Sequence, residues 1–401
     1  MGRFVLLAAV IALGSGAPTA SQSGRAGRGT QVETTRETPI SPEQLKSAID
    51  RLGTVDYAIR TTAARAIRRA PSASVVPALI DAALKHSDGY VRFRALVLLS
   101  GFNDARTHDV MLQALSEKSD RLRGVGYGWF EHNIDPQVVP RMLDALAHED
   151  SEFVRPALTR ALAAYASDNR VREALTSLVM KGQDFFRSAV IEAVGDYKGA
   201  YALPSIVQVA KLDGPLQDDA VLAIGKIGDK KTLETLAALQ RTAPRSVQPS
   251  IAAAICLLGV NCSSHQGYLE EALKFSMDND GFRDLLRASS SGLAAIAIAG
   301  NNSAATVLVE KGVPSRDPGR AAIALALGAV ALRNTPIMLQ VLQAQPDPKA
   351  AILLLGESFD MLEEDLEEER FYASVRRGYW AAPAGAPSRK IAEALIQTLD
   401  F

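Results

Sequence analysis

The chain has 401 residues, 47% of them hydrophobic and 22% charged, the balance of an ordinary folded protein and not of a disordered one. A formal net charge of −1 supplies no global basic field, so nucleic acid is not the expected partner.

The first element is a leader. Arg3, the apolar run Phe4 to Leu13 and a small-residue exit up to Ala20 have the build of a secretory signal peptide. A run of ten apolar residues is too short to cross a bilayer as a helix. Residues 1–22 are therefore expected to be removed near Ser21 to Ser23, leaving a flexible Ser-, Gly- and Arg-rich stretch over 23–41. The mature chain is expected outside the cytoplasm, periplasmic or secreted, with no transmembrane segment.

Order begins at Ser41-Pro42-Glu43-Gln44, which supplies a capping hydroxyl, a proline for the first turn and a side-chain partner three residues on. A period of 32 follows: Asp56, Asp88 and Asp120 each open a similar phrase. Units of this size cannot bury an apolar face alone and must stack. Each reads as a pair of helices. The first member carries Pro77, Pro140 or Pro204, expected at helix starts. The second carries a small residue at its middle (Ala63, Ala95, Ala157, Ala189, Ala220, Ala252) and in many units ends on glycine (Gly101, Gly195, Gly225, Gly259), which suits a left-handed cap.

The phrase from Asp88 through Val91, Arg92, Ala95, Leu96 and Leu99, preceded by Val76 to Leu84, closely resembles a HEAT repeat, in the short bacterial form also found in bilin-lyase-like proteins. The resemblance implies an all-α fold, an α-solenoid of stacked helix pairs across 42–280. It also implies that Arg60, Arg92 and Arg123 pair with acidic groups of neighbouring repeats.

Beyond residue 280 the pattern loosens. Gly292 to Asn302 with Ala305 to Gly312 resembles the helix pair of an ankyrin repeat without its Thr-Pro-Leu-His opening, so 281–356 is read as degenerate helical repeats. Residues 357–377 form an acidic helix candidate in which Glu363, Glu364, Asp365, Glu367, Glu368 and Glu369 precede Arg370, Arg376 and Arg377, the order that the helix dipole favours. Two readings apply to it: a solvated face, or a docking site for a basic partner, which includes the first repeat of this chain with Arg60, Arg65, Arg68 and Arg69. A Pro/Gly/Ala loop over 381–387 then leads to a last amphipathic helix, Lys390 to Leu399, that caps the array.

Chemistry is hard to find. His86, His108, His132, His148 and His265 form no metal spacing. Gly124, Gly126 and Gly128 lack the spacing of a phosphate loop, and no nucleophile elbow occurs. No catalytic, cofactor or metal residue is expected. Three glycines in one helix cost about 1 kcal/mol each relative to alanine, so Gly124 to Phe130 is the irregular site. Either the glycines allow close packing while the aromatics fill a groove, or Tyr127, Trp129 and Phe130 anchor a peptide or glycan partner. Cys256 and Cys262, six apart, would pin a helix end if bridged in an oxidising compartment; otherwise Cys256 is buried and Cys262 exposed.

The expected function is that of an exported, monomeric scaffold that recognises a protein on the concave face lined by second helices, without catalysis. The rival readings are an enzyme or enzyme accessory, by analogy with the lyase-like relatives, and a peptide- or glycan-binding module.

Overall fold

Ser41 opens the first helix. Its hydroxyl accepts from the Gln44 N–H at 3.2 Å, and the Gln44 side chain accepts from the Ser41 N–H at 2.9 Å, a complete capping box with Pro42 behind it. The structure, a computed structural model, describes residues 38–401; the expected signal peptide and most of the leader lie outside the described residues.

Helix pairs follow one another along the chain: α1 (Pro42–Arg51) with α2 (Tyr57–Arg69), α3 (Ser72–Lys85) with α4 (Gly89–Ser100), α5 (Thr107–Ala114) with α6 (Asp120–His132), and α7 (Val139–His148) with α8 (Arg155–Ala164). The same alternation continues through α9 (Asn169–Met180) and α10 (Asp184–Asp196), α11 (Leu203–Ala210) and α12 (Gln217–Ile227), and α13 (Leu233–Thr242) and α14 (Gln248–Leu257). It persists through α15 (Cys262–Asp278), α16 (Arg283–Ile298), α17 (Asn302–Gly312), α18 (Gly319–Arg333), α19 (Thr335–Ala344) and α20 (Lys349–Leu362). Among the described residues there is no strand. The fold is an all-α solenoid. Even-numbered helices contact one another in series from α4 to α20 and form the inner row. No single described helix is long and apolar enough to cross a membrane.

The periodic aspartates act at helix starts. Asp56 accepts from the Ile59 N–H at 3.1 Å and Asp88 from the Tyr90 N–H at 2.8 Å, satisfying donors that the first turn leaves open. Asp120 stands one place later, as the first residue of α6 behind Ser119. Arg92 and Arg123 reach acids of the following repeat, Glu117 and Glu149. Arg60 instead donates to the Thr54 carbonyl and lies over the rings of Tyr57 and Tyr90.

Two expectations are corrected. Pro140 and Pro204 stand in the first turns of α7 and α11, but Pro77 is inside α3, where its missing N–H removes an internal bond and not an orphan donor. Of the glycines expected as caps, Gly259 alone has a positive φ (77°). Gly195 and Gly225 are inside α10 and α12, and the left-handed cap of α12 is Gly228 (φ 85°). Gly225 is needed for contact: a Cβ there would stand 2.4 Å from the Ala254 Cα.

The acidic segment is not one helix over 357–377. The chain breaks at Glu363, whose φ of 52° is left-handed, and restarts as α21 (Asp365–Ala381), followed by α22 (Pro387–Thr398). α21 packs against α22 and also against α4, α6 and α18. The last part of the chain therefore lies on the inner row of the first repeats.

Candidate functional site: the seam where the array closes

Three acids in the first turn of α21, Asp365, Glu367 and Glu368, suit the positive end of its dipole. The glutamate one turn in meets the first repeat. Glu369 accepts from Arg68 Nε at 2.8 Å and lies 2.7 Å from its Nη2, and the two side chains are 2% and 7% exposed. Burial works against the Arg68 charge, but Glu369 overrides it and leaves the guanidinium harder to deprotonate than usual. The Tyr372 ring lies 5.0 Å beneath the same guanidinium, a cation–π contact in a desolvated place. Around this pair, Asp365 bonds Arg94, Asp400 bonds Arg65, and the Phe401 carbonyl accepts from Arg69 at 3.1 Å. Glu368 has no such partner. Burial, reinforced by Asp365, pushes its carboxyl up to about 8 although Arg94 and Arg68 pull the other way.

In the first turn of α21, Glu367 accepts from His132 Nε2 at 2.8 Å and also bonds Arg370. Burial would raise its pKa, but His132, Arg370 and Arg333 together hold it at about 2. Glu131, beside His132, takes Arg160 at 3.0 Å and the Tyr197 hydroxyl at 2.8 Å. Arg160 continues to Asp196, which also binds Lys226, both at 2.6 Å, and Arg333 binds Glu364 at 3.0 Å. Ligand atoms of Glu131, His132 and Glu367 all lie within 4.8 Å of one another, close enough for a metal ion. The chemistry of the surroundings is wrong for one. Arg160 already neutralises Glu131, and Arg370 already sits on both Glu367 and His132, so a cation would meet guanidinium groups where it needs free charge. The cluster is a balanced ionic lattice tying α6, α8, α10, α12, α18 and α21 together.

Residues 45–127 match the family model described as HEAT repeats. Over that stretch the chain is similar to HEAT repeats. No curated protein matches the chain in sequence. Among solved structures, YibA from Escherichia coli is 18% identical over 54% of this chain and 81% of its own, with a TM-score of 0.40. The karyopherin Kap121p, in its complex with Pho4p, is 12% identical over 90% of this chain and 48% of its own, at 0.38. The complex of CpcE and CpcF of phycocyanin lyase from Nostoc sp. PCC7120 is 17% identical over 80% and 97%, at 0.25. None of these superposes closely enough to lend this chain an activity. The HEAT match covers α1 to α6, the same helices whose inner face receives α21.

The glycine-aromatic helix of those repeats, α6, is placed by packing on three sides. A Cβ at Gly126 would stand 2.9 Å from a Leu115 methyl, one at Gly128 would stand 2.6 Å from a Leu366 methyl, and one at Gly124 would lie 3.6 Å from Val154. Tyr127 and Phe130 are buried, at 1% and 0% exposure, so neither offers surface to a partner; of the two readings of this site, packing and not the anchor holds for these two. Trp129 is half-buried, edge-on to Phe130 at 5.0 Å and to His108 at 6.0 Å. Cys256 and Cys262 are bonded to each other at the junction of α14 and α15. Sequence reasoning missed Arg94, His132, Leu366 and Arg333 as members of the seam. The acidic run and the basic first repeat were visible, but nothing in the spacing brought His132 to Glu367.

Proposed function

We propose that this chain is an exported scaffold that holds a protein partner on the inner face of its even-numbered helices and has no catalysis of its own. The observation that carries the reading is α21. The inner face of α2, α4 and α6 already binds an acidic helix, through Arg68, Arg94 and His132, so this row is suited to gripping helical ligands by charge and shape. Further along, Glu192 on α10 and Arg287 on α16 are exposed, Arg287 reaching Asp218 on α12 at 2.9 Å, and they supply a polar surface of mixed sign for recognition. The leader, read as a signal peptide, and the Cys256–Cys262 bond both suit an oxidising compartment.

Capture from the extracytoplasmic fraction, followed by chemical cross-linking, tests the assignment. Cross-links should map to α8 to α16 on their inner sides, and Glu192→Lys with Arg287→Glu should cut capture about tenfold or more without changing thermal stability. Cross-links confined to odd-numbered helices would refute the choice of face. Retention of Met1 on the exported protein would refute cleavage of the leader, and absence of the chain from the extracytoplasmic fraction would refute the export reading.

A further inference from the structure

The contacts that join neighbouring repeats differ in kind from those that join the ends of the array. Apolar residues pass without interruption between repeats: the cluster running from Leu45 to Leu258 meets the cluster running from Ala252 to Phe401 at α14. Across the closing seam, Leu366 is the one described hydrophobic residue beyond Val260 that packs against the first cluster. The rest is polar: Arg68 with Glu369, Arg94 with Asp365, Arg65 with Asp400, His132 with Glu367, and the Tyr57 hydroxyl donating to Asp360. Separated repeats would expose apolar area to water, which opposes separation. Separated ion pairs regain hydration, which offsets most of the attraction they lose.

We propose that α21 is a tethered occupant of the inner face of α2, α4 and α6, a clasp that releases while the repeats stay folded and, when released, leaves a basic groove fitted to an acidic helix. The groove rests on the reading of the inner face as a partner surface; the release does not. Arg68, Arg94 and His132 would then be presented to a partner with the carboxylate spacing of Asp365, Glu367 and Glu369. Gly101 and Gly128 fit the same role: a side chain at either would meet Glu369 at 2.7 Å or Leu366 at 2.6 Å, so the groove floor is cut to admit a helix.

Native-state hydrogen exchange on the full chain reads the release without any partner. In Glu369→Gln, which strands Arg68 in a buried place, amides of 365–381 and of α2 and α4 should exchange about 100-fold faster or more, while α10 to α14 keep wild-type protection. Arg68→Met with Glu369→Met, which replaces the pair by an apolar contact, should exchange no faster than wild type. A Gly128→Cys, Leu366→Cys bridge should restore protection to Glu369→Gln, since the Leu366 Cγ lies 4.0 Å from the place of a Gly128 Cβ. A labelled synthetic peptide of residues 363–381 should bind the Glu369→Gln chain and not its bridged form. Loss of protection in α10 to α14 in step with α21, an unchanged Glu369→Gln, or a Glu369→Gln chain that does not fold overturns the clasp. A peptide that binds neither form, or both alike, overturns the groove alone.

Discussion

Gly225→Ala and Gly267→Ala add the same methyl group to a helix and should move stability in opposite directions. In α12, a Cβ at Gly225 would stand 2.4 Å from the Ala254 Cα, 2.8 Å from its Cβ and 3.1 Å from its carbonyl oxygen. Two of these are backbone atoms, so no rotamer change relieves the overlap. α12 and α14 would have to separate to ordinary contact, about 3.5–4.0 Å between carbons. Overpacking of this kind costs about 1–3 kcal/mol, and alanine returns about 1 kcal/mol through helix propensity. The difference spans about 0–2 kcal/mol of net loss, and because the overlap is with backbone atoms the upper half of that span, about 1–2 kcal/mol, is expected. Gly267 lies inside α15 with nothing within 4 Å of its added Cβ, so only the propensity gain of about 1 kcal/mol remains. Urea denaturation gives the sign, and hydrogen exchange places the Gly225 effect in α10 to α14, because a solenoid couples nearest neighbours. A Gly225→Ala protein as stable as wild type would refute the claim that glycine there serves helix contact.

Trp129→Ala should cost about 2 kcal/mol in a melting experiment, less than the 3–5 of a fully buried aromatic. A protein with unchanged stability that no longer captures its partner would make Trp129 an anchor. The two seam carboxyls should oppose each other in pH. Glu367, held at about 2, contributes stability that is complete above its ordinary value of 4.5 and is lost as pH falls towards 2. Glu368, pushed up to about 8, keeps its proton in the fold, so its contribution is complete below 4.5 and is lost as pH rises through 8. Glu368→Gln should therefore remove the decline in urea midpoint between pH 5 and pH 8, and an unaltered decline would contradict the assignment. Reducing the Cys256–Cys262 bond, which closes a loop of sequence separation 6, should cost about 2 kcal/mol by chain entropy. The loss should appear as faster exchange at the α14–α15 junction, and uniform loss along the chain would count against a local role.

The sequence by itself determined the repeat class, because the period of 32, the recurring aspartates and the small residues on second helices report nearest-neighbour packing, which is local. Ser41 and Gln44 made the first helix start legible for the same reason. Tertiary structure decided everything that depends on distance along the chain. Whether Gly195 and Gly225 end helices or admit neighbours is a question of what faces them, and a glycine codon serves both uses alike. The charge of the first repeat and of the acidic run could be read separately. Their union stood in the sequence only as one of two readings, since Arg68 and Glu369 are 301 residues apart and small rotations between successive repeats determine whether the ends meet. That accumulated curvature turned an acidic helix that composition would leave in solvent into the occupant of the inner face, and it placed Trp129 beside His108 while Tyr127 and Phe130 went into the core.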